Sequence, residues 1–175
     1  MGGPLTIMEM SKDILATAAA AFSQPGANPA PARRFVAHGQ VQAQGEQLTV
    51  ACTSLRGARP FPLTQIQAPK TSVTPSVDFR VELWRACWPQ PNVSGSAAAG
   101  SQLADPSAFT AASESLQIDI ATLFVWLVNA GLDGTLLPSQ PTIRTAQDAA
   151  FGAPVALGPS GQLAGWGFPL QVKFP

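Results

Sequence analysis

The sequence predicts an α+β protein: a mostly antiparallel sheet of four to five strands packed with two helices, in the order α-β-β-β-α-β-β, with two long loops. Three observations carry this. Apolar residues recur every three or four positions in two segments, residues 7–21 and 109–130. They alternate in others, most clearly over 77–83 and 164–174. Proline- and glycine-rich stretches separate these segments. At 175 residues and 46% apolar, the chain is long enough to bury a core as one domain, residues 1–175.

The first helix opens on Thr6-Ile-Met-Glu9, which fits a capping box, with Leu5 and Met10 spaced as a hydrophobic staple. Ile7, Met10, Ile14, Ala18 and Ala21 form its apolar face, and Ser23-Gln-Pro-Gly26 ends it. Asn28-Pro-Ala-Pro31 reads as an extended linker.

Two strands follow, Arg34 to Val41 and Gln47 to Leu55, joined by Gln42-Ala-Gln-Gly-Glu46, a link short enough for a hairpin. Residues 56–76 hold Pro60, Pro62, Pro69 and Pro75, too many for a central strand, so a long loop is expected. The third strand is Val77-Asp-Phe-Arg-Val-Glu-Leu-Trp-Arg-Ala-Cys-Trp88. Val77, Phe79, Val81 and Leu83 face the helices; Asp78, Arg80 and Glu82 take the other face. The alternation slips at Leu83-Trp84, which suggests a β-bulge that turns Trp84, Ala86 and Trp88 to the buried side. A second loop spans 89–104.

Asp105-Pro106 starts the second helix as N-cap and first helical residue. Its stripe is Phe109, Ala112, Leu116, Ile120, Leu123, Leu127 and Ala130, and Gly131 is the expected C-terminal cap. The final elements read as a hairpin, with Phe151 to Leu157 as one arm and Gly158-Pro-Ser-Gly161 as the turn. The returning arm places Ala164, Trp166, Phe168, Leu170, Val172 and Phe174 on one face, and Pro169 suggests an edge strand or a bulge.

Composition excludes several classes. Ten basic and ten acidic residues balance, so nucleic acid is not an expected main partner. The start lacks a basic region followed by an apolar core, so no signal peptide is expected. The most apolar run, Ile120 to Val128, is shorter than the roughly 20 residues a bilayer needs, so a soluble protein made in a cytoplasm, without membrane contact, is expected. Cys52 and Cys87 read as buried thiols.

No catalytic, cofactor or metal constellation emerges. His38 has no acid or thiol near it in sequence, and one histidine with two distant cysteines is no spaced ligand set. Gly158-Pro-Ser-Gly161 lacks the lysine and following helix of a phosphate loop. Gly165-Trp-Gly167 reads as close backbone approach within a strand. Asp78 and Glu82 stand about 13 Å apart along a strand, wider than glycosidase pairs, with Arg80 between them to neutralise both. Charge is nonetheless uneven. Arg33, Arg34, Arg56, Arg59 and Lys70 face only Glu46 across residues 33–75, a net of +4, whereas Asp105, Glu114, Asp119 and Asp133 give residues 105–143 a net of −4.

Three segments carry a family resemblance: Gly45-Glu-Gln-Leu-Thr-Val50, Ser76-Val-Asp-Phe-Arg-Val-Glu-Leu-Trp-Arg-Ala-Cys87 and Leu157-Gly-Pro-Ser-Gly-Gln-Leu-Ala-Gly-Trp-Gly-Phe168. In order and spacing, over about residues 33–174, the chain resembles the tail terminator proteins of long-tailed bacteriophages, particularly those of high-GC actinobacteria. It departs from that pattern at Trp84 and Trp88, where smaller residues are expected. The resemblance implies a non-enzymatic virion protein at the tail–neck junction, assembled in the host cytoplasm. Such proteins form a ring, usually of six subunits, on the head-proximal end of the tail tube. The ring stops polymerisation of the major tail tube protein and docks a neck or head-closure protein, with DNA only as passing cargo. Arg56 and Arg59 against Glu114 and Asp119 are then candidate interface residues, since a closed ring needs two different complementary surfaces on each subunit. Asp78, Arg80 and Glu82 are candidates to face the lumen or a neighbour. The alternatives are another neck or head-closure component, or a monomeric ligand-binding or enzymatic α+β domain with the two loops as lids.

Overall fold

In the computed structural model the described residues are 4–39, 41–56, 75–86, 106–160 and 163–173. The fold is α+β, as expected. In chain order the elements are α1 (Pro4–Ala21), β1 (Arg33–His38), β2 (Gln47–Arg56), β3 (Ser76–Ala86), α2 (Pro106–Leu132), α3 (Thr145–Asp148), β4 (Ala149–Phe151), β5 (Val155–Ser160) and β6 (Leu163–Lys173). The six strands form one sheet in the order β1-β2-β3-β6-β4, with β5 also paired to β6. The one-turn helix α3 and the division of the fourth strand into β4 and β5 go beyond the sequence expectation. The two long loops, the Asp105 cap, Arg59, Cys87, Trp88 and Phe174 lie outside the described residues.

The helices cover one face of the sheet. Met10, Ile14, Ala18 and Ala21 of α1 are fully or almost fully buried on the predicted stripe, as are Leu123 and Leu127 of α2. They pack on Leu48 and Val50 of β2, on Val77, Phe79, Val81 and Leu83 of β3, and on Phe168, Leu170 and Val172 of β6. Each of the larger side chains among them contributes roughly 1.5–3 kcal/mol on burial. Phe124 of α2 stacks on Phe168 of β6 with ring centroids 6.4 Å apart. α1 lies over β1, β2 and β3, whereas α2 touches β3 and reaches β6 through that stack. The helix layer therefore divides between the two halves of the sheet.

Several local expectations are corrected. Thr6 lies inside α1, which already begins at Pro4, so it is not the N-cap. Gly131 is not the cap of α2. Gly134 is, at φ +75°, with the Thr135 N–H bonded to the Ala130 carbonyl and the Gly134 N–H to that of Gly131. That pair of bonds is the Schellman arrangement, which favours glycine at the left-handed position. Gly131 serves contact instead, because a Cβ there would lie 2.6 Å from the Phe151 ring.

The expected β1–β2 hairpin is not formed. The two strands pair in parallel, Arg33 with Gln47 through His38 with Cys52. The link to β2, described over 41–46, therefore returns along the length of β1 before β2 begins. A link of eight residues can reach roughly 26 Å when extended, more than the roughly 17 Å that five strand steps require, so a crossover of this length needs no helix. The Gln47 amide holds this segment by accepting from the Gln44 N–H and donating to the Gln42 carbonyl, both at 3.4 Å. Val41, Gln42 and Ala43 line one groove with Arg80, Glu82 and Trp84, so the crossover runs over the face opposite the helices.

The bulge expected at Leu83-Trp84 is absent. β3 keeps an unbroken register with β6 from Ser76↔Lys173 to Ala86↔Leu163, and the break lies in β2, between Cys52 and Ser54. Trp84 keeps the alternation and lies on the outer face with Arg80 and Glu82, while Ala86 is exposed. Trp84 is nonetheless buried, because its cross-strand partner is Gly165 and its indole occupies the space where a side chain would be. The close approach expected at Gly165-Trp-Gly167 is thus present.

The returning arm of the hairpin is formed by β6, but the expected first arm over 151–157 is broken between β4 and β5, and the turn is not where it was expected. Ser160 pairs with Leu163, so Gly158-Pro-Ser160 belongs to β5, with a register shift between Ala156 and Gly158. Pro169 sits in a strand paired on both sides, not on an edge. Its carbonyl accepts from the Gly152 N–H at 2.9 Å, so its donor-less nitrogen points to the same side. That side is the interval between β4 and β5, where no ladder donor is needed.

Gly165→Ala would place a methyl 2.5 Å from the Trp84 ring. It should cost about 1–3 kcal/mol in denaturant unfolding. Combining it with Trp84→Val should recover most of that loss. Additive costs would show that the indole does not rest on Gly165.

Candidate functional site

Three clusters of polar side chains lie on or beside the sheet among the described residues. The first centres on Arg85, near the end of β3. Its Nε donates to Asp119 at 2.8 Å and its Nη2 to the Pro29 carbonyl at 2.7 Å. Glu46 stands 3.5 Å from Nη1, and the guanidinium lies 5.3 Å from the centroid of the Phe22 ring. Asn28 Nδ2 donates to the same Asp119 at 2.9 Å and to Ser115 Oγ at 2.8 Å. The side chains of Arg85 and Asp119 are 11% and 2% exposed, so this is a buried pair linking the segment after α1, the entry to β2, the end of β3 and the middle of α2.

The second cluster lies at the centre of the outer face. Arg80 Nε and Nη2 both approach Glu82 Oε1 at 2.6 Å, and Trp84 Nε1 donates to Oε2 at 3.3 Å. Glu82 is 1% exposed. Thr49, its register partner on β2, has a buried Oγ1 with no hydrogen-bond partner. A groove of about 560 Å³ runs past Arg80, Glu82 and Trp84.

The third cluster is lower on the same face. Asp78 accepts from Ser54 Oγ, from Arg56 Nε at 2.7 Å and from Gln171 Nε2 at 2.9 Å. It lines a groove of about 620 Å³ with Thr53, Arg80, Phe151 and Pro169. Burial pushes its carboxyl up, but the hydrogen bonds from Ser54, Arg56 and Gln171 and the Arg56 charge outweigh this and hold it below its ordinary value.

These clusters locate the residues proposed from sequence. Asp78, Arg80 and Glu82 share the face away from the helices, as expected. Glu82 is covered, however, and Asp78 pairs with Arg56 and not with Arg80. Asp119 is buried against Arg85, so its charge is engaged inside the chain and does not face a neighbour. Glu114 is exposed on α2. Arg56 is exposed but tied to Asp78.

Sequence reading missed one juxtaposition. The parallel pairing of β1 and β2 makes His38 the register partner of Cys52. Burial and the nearby Asp78 charge push the Cys52 thiol up, the opposite of what an activated nucleophile needs. Among the described residues no group of three or more His, Cys, Asp or Glu side chains is placed to hold a metal ion.

α2 is the remaining feature. Thr110–Leu132 is long and apolar enough, by length and composition alone, to cross a membrane, although the nine-residue run seen in sequence is not. One face packs on the core, while Ile118, Val125 and Leu132 are 53%, 56% and 64% exposed. No protein-family model matches the chain, and no curated protein matches it.

Two measurements check these assignments. Asp119→Ala removes the buried partner of Arg85, leaving only the more exposed Glu46 at 3.5 Å, and should cost about 3 kcal/mol in chemical denaturation. Glu114→Lys should change stability by less than about 0.5 kcal/mol; equal effects would refute the assignment of Asp119 to the interior. Asp78 has a folded-state pKa below its unfolded value of about 3.9, so its stabilisation is complete above that value and is lost as pH falls through the depressed one. Asp78→Asn should therefore flatten the fall of stability below about pH 4, and identical acid profiles would contradict it.

Proposed function

We propose that this chain is a structural subunit that forms a ring on the head-proximal end of a phage tail tube. The ring ends tube growth, joins the tail to the neck and catalyses no reaction. The reading rests on the three resembling segments, and one observation in the structure supports it most. The charged groups in the grooves are already engaged with one another: Asp78 with Ser54, Arg56 and Gln171; Glu82 with Arg80 and Trp84; Asp119 with Arg85 and Asn28. Large apolar side chains remain open on a regular helix face. Such a surface serves packing against another chain better than it serves turnover.

The outer-face grooves, about 560 and 620 Å³, have the size of small-molecule sites and favour the monomeric ligand-binding alternative. Against it stands the same pairing, which leaves few polar groups unengaged for a ligand.

Adding the purified chain to polymerising tail-tube subunits should shorten the tubes in proportion to its concentration. Electron micrographs should show a ring on one end only. Unchanged tube lengths with bare ends would overturn the termination reading, and binding to a closed neck but not to tubes would favour a head-closure role.

A further inference from the structure

The two outer edges of the sheet differ. On one side β4 and β5 pair only with β6. β4 is three residues long, the strand line breaks before β5, and β5 carries Pro159 and a register shift between Ala156 and Gly158. A short strand, a bulge and a proline are the devices that keep an edge from pairing with another chain. On the other side β1 pairs only with β2. Its register runs unbroken from Arg33↔Gln47 to His38↔Cys52, and it contains no proline. The backbone shows what this edge presents. The Gly39 N–H donates to the Cys52 carbonyl at 3.2 Å and so points toward β2. Backbone groups alternate sides along a strand. Phe35 and Ala37 therefore also bond toward β2, whereas Arg34, Val36 and His38 turn their N–H and C=O groups outward, where no described backbone group meets them.

The open edge is also basic. From Ile14 to Gly45 the chain contains no aspartate or glutamate, and β1 begins with Arg33 and Arg34. Both are exposed, and neither makes an ion pair among the described residues. Arg33 donates to the carbonyl and side-chain oxygens of Gln44, a neutral residue, at 3.2 and 3.3 Å. Glu46, which precedes the β2 partner of Arg33, is engaged with Arg85 and the Ala86 N–H. Beyond the arginines the strand continues with half-buried Phe35, Val36 and Ala37. A second copy of β1 would bring only more basic residues to this edge.

We infer that the β1 edge binds an extended acidic segment of a different protein as an added strand. Two consecutive carboxylates of that segment lie beside Arg33 and Arg34, and β-branched residues continue beside Phe35 and Val36. The outward backbone groups of Arg34, Val36 and His38 supply the hydrogen bonds of strand addition, and the arginines select the partner and fix its register. The inference goes beyond the ring reading and does not depend on it.

Two capped peptides, Glu-Glu-Val-Val-Thr-Val and its reverse, test this on the full chain, one for each strand direction. Fluorescence anisotropy of the labelled peptides should show saturable binding of at least one. Amide hydrogen exchange followed by NMR should show protection gained at Arg34, Val36 and His38 but not at Phe35 and Ala37, which β2 already protects. Arg34→Glu should weaken binding about tenfold. His38→Pro should weaken it about threefold to tenfold by removing one outward donor, with the unfolding midpoint unchanged because no bond to β2 is lost. Should that variant fail to fold, a peptide methylated on the backbone nitrogens that face β1 makes the same test on the wild type and should not bind. Failure of both peptides to bind would overturn the inference, as would equal binding of lysine-for-glutamate or methylated versions. So would protection of Arg34, Val36 and His38 in the free chain, whether constant, which would mean that the chain covers its own edge, or rising with protein concentration, which would make a second copy the occupant.

Discussion

The guanidinium of Arg85 is the point on which the architecture depends. It joins α2 to the sheet through Asp119 and holds the segment after α1 through the Pro29 carbonyl and the Phe22 ring. The partners come from residues 22 to 119, so the contact can form only when most of the fold is in place. A buried ion pair of this kind adds little net stability over an apolar replacement, because desolvation offsets the attraction. Its contribution is positional. An apolar helix can rotate on an apolar sheet with little change in buried area, whereas α2 cannot turn without breaking the buried Asp119–Arg85 pair. Asn28 strengthens the constraint by bonding to both Ser115 and Asp119. The face that α2 turns outward is fixed by what it must turn inward.

Periodicity made much of this legible. The buried faces of α1, β3 and β6 follow from spacings of three to four and of two, because one-sided burial leaves that imprint on a sequence. Direction left no such imprint. The alternation in β1 and β2 reads the same whether the strands run parallel or antiparallel, and the link between them is short enough for either, so the hairpin expectation failed. With it went the neighbourhood of His38, which became the partner of Cys52. The slip at Leu83-Trp84 has a related cause. Glu82 and Trp84 are buried on the outer face, so β3 looks irregular to a rule that expects one dry face and one wet one. The pairing of Asp119 with Arg85, 34 residues apart, is a tertiary fact that block-wise charge counting could not reach.

The outer face is therefore not a plain solvent face. The crossover from β1 to β2 passes over it, and Gln47, Thr49, Ala51, Glu82 and Trp84 all lose their water there. Most of the polar groups find partners, but Thr49 Oγ1 does not. The large Trp84 and the absent side chain of Gly165 belong together. Each fits this sheet only because the other is present.

The order of strands also governs when the molecule can exist. β3 and β6 lie side by side at the middle of the sheet, yet Ser76 pairs with Lys173. Closing that ladder demands contacts of high sequence separation, the slowest kind to form. A ribosome must extend past Lys173 before the sheet has a centre, and the buried face of α2 has no complete surface to settle on until then. Until synthesis passes that point, a nascent chain holds its apolar helix without a finished partner.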